Sequence, residues 1–440
     1  MIRRNTVNKN EFALTPPMGW NSWDCYGAAV TEKELLQNAD YMAKNLKEFG
    51  WEYIVCDIQW YEPLADSSHY RKFADLCMDE YGRVIPAPNR FPSAAEGGFR
   101  KIADYIHNKG LKFGIHIMRG IPRQAVSKNT LVKGTPYTAR NIAHPYSICC
   151  WNTDMYGVDA TKPGAQEYYN SIIELYASWG VDFIKVDDIC VKYGRPNDEN
   201  TLAYGGDEIE LLRKAIDTCG RPIVLSLSPG PAMVDKAEHL CKNANMWRIT
   251  NDFWDRWTDI MEMFDRCRDW SPYVAPGCFP DCDMLPLGHL SIRGCEHGMG
   301  ERMTQLTREE QRSMMTLWCI FRSPLMLGCE LTDMDPWTRS LVTNPEVLEL
   351  LKKSRNAREV LRSYDMILWR AEDEEGNVYA AVFNIANWEE NFSISLDQLE
   401  TKGTVRIRDM WERRELGEAR KHFTVTLKAH EGKLFKLYTE

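Results

Sequence analysis

The sequence predicts an α/β chain: a (β/α)8 TIM barrel over residues 1–350, followed by an antiparallel β-sandwich domain over residues 351–440. Three observations carry this reading. Short apolar runs alternate with longer amphipathic stretches through the first three-quarters of the chain. Seven or eight such units occupy roughly 330 residues, which favours a closed barrel over an open doubly wound sheet. After about residue 350 the pattern changes to short segments of period two separated by turn-rich pieces such as Glu374-Glu375-Gly376-Asn377.

In chain order, the apolar runs Pro17–Trp20, Tyr53–Ile58, Leu111–Ile117, Phe183–Asp187, Ile223–Ser228, Met246–Thr250 and Leu325–Gly328 read as barrel strands. A further strand is placed at Tyr273–Cys278, where the pattern is poor. Four intervening segments read as helices. Thr31–Phe49 opens with a Thr-x-x-Glu capping box and stops at Gly50. Ala95–Lys109 stops at Gly110, and Pro163–Trp179 starts on a proline suited to a first turn and stops at Gly180. Thr307–Phe321 opens with a second capping box. The C-terminal strands are read at Met366–Ala371, Val378–Asn384, Phe392–Leu396, Thr404–Asp409, Phe423–Leu427 and Lys433–Tyr438.

Composition narrows the function. Lys+Arg is 54 against Asp+Glu 63, a formal charge of −9, which disfavours a generic nucleic-acid or anionic-membrane binder. No apolar run is long enough to span a bilayer. No glycine-rich phosphate loop follows a strand, and neither CxxC nor HExxH occurs, so no cofactor or metal is expected. The polar start, Met1 to Asn10, lacks the apolar core of a secretory signal, and the 14 cysteines show no stapling pattern; both point to reduced thiols in the cytoplasm. Homo-oligomerisation is left open.

In a parallel barrel the chemistry lies at the C-terminal ends of the strands. There the chain places Trp23, Asp57, His116, Lys185 with Asp187 and Asp188, Ser226 and Ser228, Arg248 with Asp252, and Asp281 with Asp283. So many carboxylates on one rim must share cations or a polar ligand. Paired carboxylates serve glycoside hydrolysis, and tryptophans beside carboxylates suit the apolar face and hydroxyl rim of a pyranose. Lys185 and Asp187 share a strand face, so the ammonium can keep that carboxylate charged. Asp252, between Asn251 and Phe253-Trp254, is expected in an apolar setting that would let it keep a proton. Asp187 and Asp252 should therefore face one cavity.

These residues resemble glycoside hydrolase family 27, the α-galactosidase and α-N-acetylgalactosaminidase family, over nearly the whole chain. The likeness rests on five motifs in order: Pro17-Met18-Gly19-Trp20-Asn21-Ser22-Trp23, Lys185-Val186-Asp187, Trp247-Arg248 with Asp252, Pro280-Asp281-Cys282-Asp283-Met284-Leu285, and Leu317-Trp318 through Ser323-Pro324-Leu325 to Gly328. The resemblance implies a barrel with a C-terminal β-domain and a retaining double displacement without metal or cofactor. It implies Asp187 as nucleophile and Asp252 as acid/base. Trp23 would stack on the sugar; Asp57, Lys185 and Asp283 would contact hydroxyls or organise the site; Arg248 would sit at the 2-position.

Departures from the family pattern bear on substrate. The family usually carries two acids after strand 2, binding O4 and O6 of galactose; here the run is Asp57-Ile58-Gln59-Trp60. An aliphatic Ile58 cannot accept a hydrogen bond from a C6 hydroxyl, so β-L-arabinopyranose, which has the galactose ring stereochemistry without C6, should be preferred. Ile58 looks like the family's β-L-arabinopyranosidase variant, with α-galactosidase side activity expected. His116 stands where the family often has Tyr, and Ser228 in place of a bulky acid leaves room for an N-acetyl group, which keeps α-galactosidase and α-N-acetylgalactosaminidase as alternatives. Cys190 falls one residue late for the family's active-site disulfide. The long stretch Met118–Asp159, with Arg119, Cys149-Cys150-Trp151 and Asp154, is expected to roof the pocket; Arg119 is its candidate ligand contact, with a solvated loop arginine the favoured reading. A sugar-binding protein on the same scaffold is the alternative from another class.

Overall fold

In the computed structural model, residues 8–192, 204–294 and 299–439 are described. Eight parallel strands form one sheet: β1 (Met18–Asn21), β2 (Tyr53–Cys56), β3 (Lys112–Met118), β4 (Phe183–Asp187), β5 (Val224–Leu227), β6 (Met246–Arg248), β7 (Phe279–Asp281) and β8 (Leu325–Leu327). They lie in the spatial order β7-β6-β5-β4-β3-β2-β1-β8. Leu285 closes the ring between β7 and β8: its N–H donates to the Met326 carbonyl at 2.7 Å, and its carbonyl accepts from Gly328 at 3.2 Å. The strands are buried on both sides, by the barrel interior and by the covering helices.

The capping boxes form as the sequence predicts. Thr31 and Glu34 cap α1 (Glu32–Asn45), and Thr307 and Glu310 cap α2 (Arg308–Phe321). The helix Ala165–Trp179 ends on a left-handed Gly180. Boundaries shift elsewhere: the second helical segment begins at Arg100, after a 3-10 turn, rather than at Ala95.

One strand lies elsewhere than the sequence predicts. Tyr273–Cys278 is a 3-10 turn followed by an isolated bridge between Ala275 and Cys278, and the seventh barrel strand is Phe279–Asp281. Three residues with a central proline carry no readable period. Met118–Asp159 is not a plain loop either. It folds into a three-stranded sheet, with Met155–Val158 between Ile121–Pro122 and Ala143–Ile148, plus two short helices.

The C-terminal part is an antiparallel sheet flanked by a two-stranded one. β9 (Arg355–Arg362), β10 (Met366–Glu372), β11 (Val378–Asn384), β12 (Glu390–Ser395), β13 (Val405–Asp409), β14 (Arg414–Ala419), β15 (His422–Leu427) and β16 (Gly432–Thr439) form the order β9-β10-β11-β16-β13-β14, with β12 paired to β15. Alternation divides the burial. Met366, Leu368, Ala380 and Val382 pack inside the sandwich, whereas Ile367, Trp369, Ala381 and Phe383 join the barrel core. The interface with α2 is pinned by the Trp411 indole donating to Thr316 Oγ1 at 2.8 Å and Ser313 Oγ donating to the His430 carbonyl at 2.5 Å. Among the described residues, no helix is long and apolar enough to cross a membrane.

Candidate active site

A cavity of about 510 Å³ opens at the C-terminal ends of the strands. Its wall includes Trp23, Asp57, Ile58, Lys185, Asp187, Arg248, Asp252 and Asp283, all singled out from sequence. Asp24, Tyr70, Trp151, Trp254, Arg256 and Met284 also line it. Three rim residues just past strand ends hold positive φ without being glycine: Gln59 (62°), Asp188 (54°) and Asp283 (78°). Such backbone strain persists where surrounding contacts over-determine it.

Asp57 is locked. Its Oδ2 accepts from Lys185 Nζ at 2.9 Å and Asn21 Nδ2 at 2.6 Å, and its Oδ1 accepts from the Ile58 N–H at 2.8 Å. Burial opposes its charge, but Lys185, His116 and these hydrogen bonds outweigh it and hold the carboxyl well below its ordinary range.

Asp187 ends β4. Its Oδ2 lies 3.1 Å from His116 Nε2, and its Oδ1 accepts from the Asp188 N–H at 2.8 Å. Burial would raise this carboxyl; the His116 hydrogen bond and charge, with Lys185 behind them, reverse that and keep it below its ordinary value. The sequence reading assigned this job to Lys185. The structure gives Lys185 chiefly to Asp57 and brings up His116 instead.

Asp252 differs from its expectation. Phe253 and Trp254 turn inward, while the Asp252 side chain is 60% exposed and pairs with Arg248 Nη2 at 2.6 Å. Arg248 Nη1 also reaches Asp283 at 3.2 Å, and Asp283 accepts from the Phe253 N–H at 2.8 Å. Burial and the Asp283 charge push Asp281, behind them, up to about 7.

Three predicted contacts do not reach the cavity wall. His116 is fully buried behind Asp187. Ser228 faces a small inner space within the barrel, with Ser226 and Asp281, while Pro229 takes the cavity position. Arg119 is neither a ligand contact nor solvated. It is 2% exposed and bridges Asp188 (2.9 Å) and Glu208 (3.1 Å). Cys25, Cys190 and the other described cysteines are unpaired thiols.

The inserted segment reaches the site through Trp151. Tyr70 stacks on Trp23 with centroids 6.0 Å apart and lies 5.5 Å from Trp151, so three half-buried aromatic rings make one side of the cavity. Asp154 ties the segment to the loop after β2 by accepting from Gln59 Nε2 at 2.9 Å and Tyr61 at 3.1 Å.

The family model described as alpha galactosidase A matches residues 15–131 and 154–353, and that of the alpha galactosidase C-terminal beta sandwich domain matches residues 363–437. This chain belongs to glycoside hydrolase family 27. It is therefore a glycosidase, hydrolysing O-glycosyl bonds. Among solved structures it is similar to a family 27 β-L-arabinopyranosidase from Geobacillus stearothermophilus: 56% identity, TM-score 0.94, covering 98% of this chain and 97% of that one. A variant of that enzyme has been solved in complex with arabinose. A protein from Bacillus halodurans C-125, provisionally named an α-N-acetylgalactosaminidase, is 51% identical with a TM-score of 0.87, covering 97% of this chain and 98% of that one. Alpha-galactosidase 2 of Arabidopsis thaliana is 27% identical over 433 residues, 97% of this chain and 90% of its own length. The family model passes over residues 132–153, the segment that carries Trp151.

Proposed function

We propose that this family 27 glycosidase is a retaining exo-β-L-arabinopyranosidase with α-galactosidase side activity. The observation that carries the preference is Ile58, which lines the cavity beside Asp57 and is 1% exposed. A hexose would set its C6 hydroxyl against an aliphatic wall that offers no partner, whereas a pentopyranose leaves nothing unpaired there. The similarity to the Geobacillus arabinopyranosidase supports the same choice.

In this reading the Asp187 carboxylate attacks the anomeric carbon while Asp252 protonates the departing glycosidic oxygen. Asp252 then removes a proton from water, which displaces Asp187 and restores the free carboxylate with net retention. The acid is exposed until substrate arrives, and a sugar seated in the cavity supplies its desolvation. Lys185 with Asp57, and Arg248 with Asp283, hold ring hydroxyls, and Trp23 offers an apolar face. The cavity boundary suggests that residues 1–350 carry the whole of this chemistry, with 351–440 supporting the barrel from behind.

Hydrolysis of p-nitrophenyl β-L-arabinopyranoside, α-D-galactopyranoside and N-acetyl-α-D-galactosaminide, measured side by side, tests the proposal. The pentoside is expected to have the highest kcat/KM and the N-acetyl sugar the lowest. Ile58→Asp should move the arabinoside-to-galactoside ratio about 10–100-fold toward the hexose. An unchanged ratio removes the argument from Ile58. The first sugar released should carry the anomeric configuration of the substrate when followed by NMR.

A further inference from the structure

Five aspartates line the cavity, and four have partners: Asp57 meets Lys185, Asp187 meets His116, and Asp252 and Asp283 share Arg248. Asp24 differs. It is 4% exposed, and its Oδ2 has no hydrogen-bond partner among the described residues. Leaving such an atom unpartnered is costly, so it is retained only where something repays it. The fold also makes room for it: a Cβ on Gly328, just past β8, would lie 2.0 Å from Asp24 Oδ2.

Its position follows from the strand order. In a ring of eight strands, β1 lies opposite β5, midway between β4 and β6. Asp187 ends β4, and Asp252 follows β6. Asp24 follows β1 and therefore stands across the mouth from the gap between those two carboxyl groups. A pyranose with its anomeric carbon in that gap directs its C3–C4 edge at Asp24.

We infer that Asp24 is a substrate-binding residue that reads a hydroxyl on the C3–C4 edge of the sugar. This rests on the proposed seating of a galacto-configured ring between Asp187 and Asp252. Burial, followed by the charge of Asp283, pushes the Asp24 carboxyl well above its ordinary value, which favours its neutral form. A neutral carboxyl both donates and accepts, which matches a hydroxyl. It also adds no charge to a wall already rich in carboxylates.

Calorimetric titration with L-arabinose, D-galactose, 3-deoxygalactose and 4-deoxygalactose tests this without relying on turnover, using wild type, Asp24→Ala and Asp24→Asn. In wild type, loss of the hydroxyl that Asp24 reads should weaken binding about 10–100-fold relative to galactose. In Asp24→Ala that difference should shrink to a few-fold, while Asp24→Asn, which keeps a donor and an acceptor, should retain most of it. Coupling to either deoxy position supports the inference and names the hydroxyl. A folded Asp24→Ala variant that loses affinity equally for galactose and both deoxy sugars, or loses none, overturns it. If Asp24→Ala does not fold, Asp24→Asn decides: tight binding with discrimination intact supports the contact, and a uniform loss refutes it. Sugar binding without arabinopyranoside hydrolysis would count against the proposed activity alone. Absence of binding by both sugars would remove the seating and the inference together.

Discussion

The two sides of the cavity hold their carboxylates in opposite ways. On the β4 side, the Asp187 side chain is 14% exposed. It is gripped by His116 and by the Asp188 N–H, and Asp188 is in turn clamped by Arg119, which Glu208 also holds. On the β6 side, the Asp252 side chain is 60% exposed and meets Arg248 from a short loop. On the proposed seating of the sugar, the first arrangement is set before substrate arrives and the second is completed by it. In the proposed mechanism this is the division a double displacement needs. The nucleophile must be aimed within a fraction of an ångström, whereas the acid/base must admit first an aglycone and then a water at the same place.

The largest test of this contrast is Asp187→Asn. It should lower kcat on aryl arabinopyranosides by about 10⁴-fold or more, because the covalent step is lost whatever the leaving group. Asp187→Gly with added azide should recover turnover and yield a glycosyl azide. A variant with appreciable activity on every substrate would assign the nucleophile elsewhere. Asp252→Asn should behave unevenly: a fall of about 10²–10⁴-fold on alkyl glycosides, and a much smaller one on dinitrophenyl glycosides, whose leaving group needs no proton. Equal losses across leaving groups would show that the two sides do not differ in role.

The same asymmetry explains what could be read from sequence. Strands such as Phe183–Asp187 and Leu325–Leu327 are buried on both faces, so their apolar runs announce them and their last residues mark the rim. Phe279–Asp281 is too short and carries a proline. β9, with the sequence RNAREVLR, and the exposed β14 are edge strands whose charges hide them. Most of the site residues follow from the strand ends, but their environments depend on which way a loop turns. The Phe253-Trp254 pair makes Asp252 look buried in sequence, yet both rings point inward and leave the carboxylate outside. Asp24 sits one residue beyond Trp23 in a four-residue helix with no period to flag it. Arg119 lies in a long stretch that looks like loop, and its role appears only when Asp188 and Glu208 converge on it.

The finest probe of the β4 side is His116, because it acts through Asp187 rather than on the sugar. Burial raises the Asp187 carboxyl; the His116 hydrogen bond and charge, helped by Lys185, lower it by more. In His116→Phe the burial stays and both His116 contributions go, so the carboxyl should rise. The proposed nucleophile works ionised, and the acid limb of kcat/KM should then move to higher pH. Above that limb most of the activity should return. His116→Gln keeps a donor but not the charge and should shift the limb less. A loss that is uniform at all pH values would instead make His116 a packing residue, and the prepared state of Asp187 would have to come from Lys185 and the Asp188 N–H.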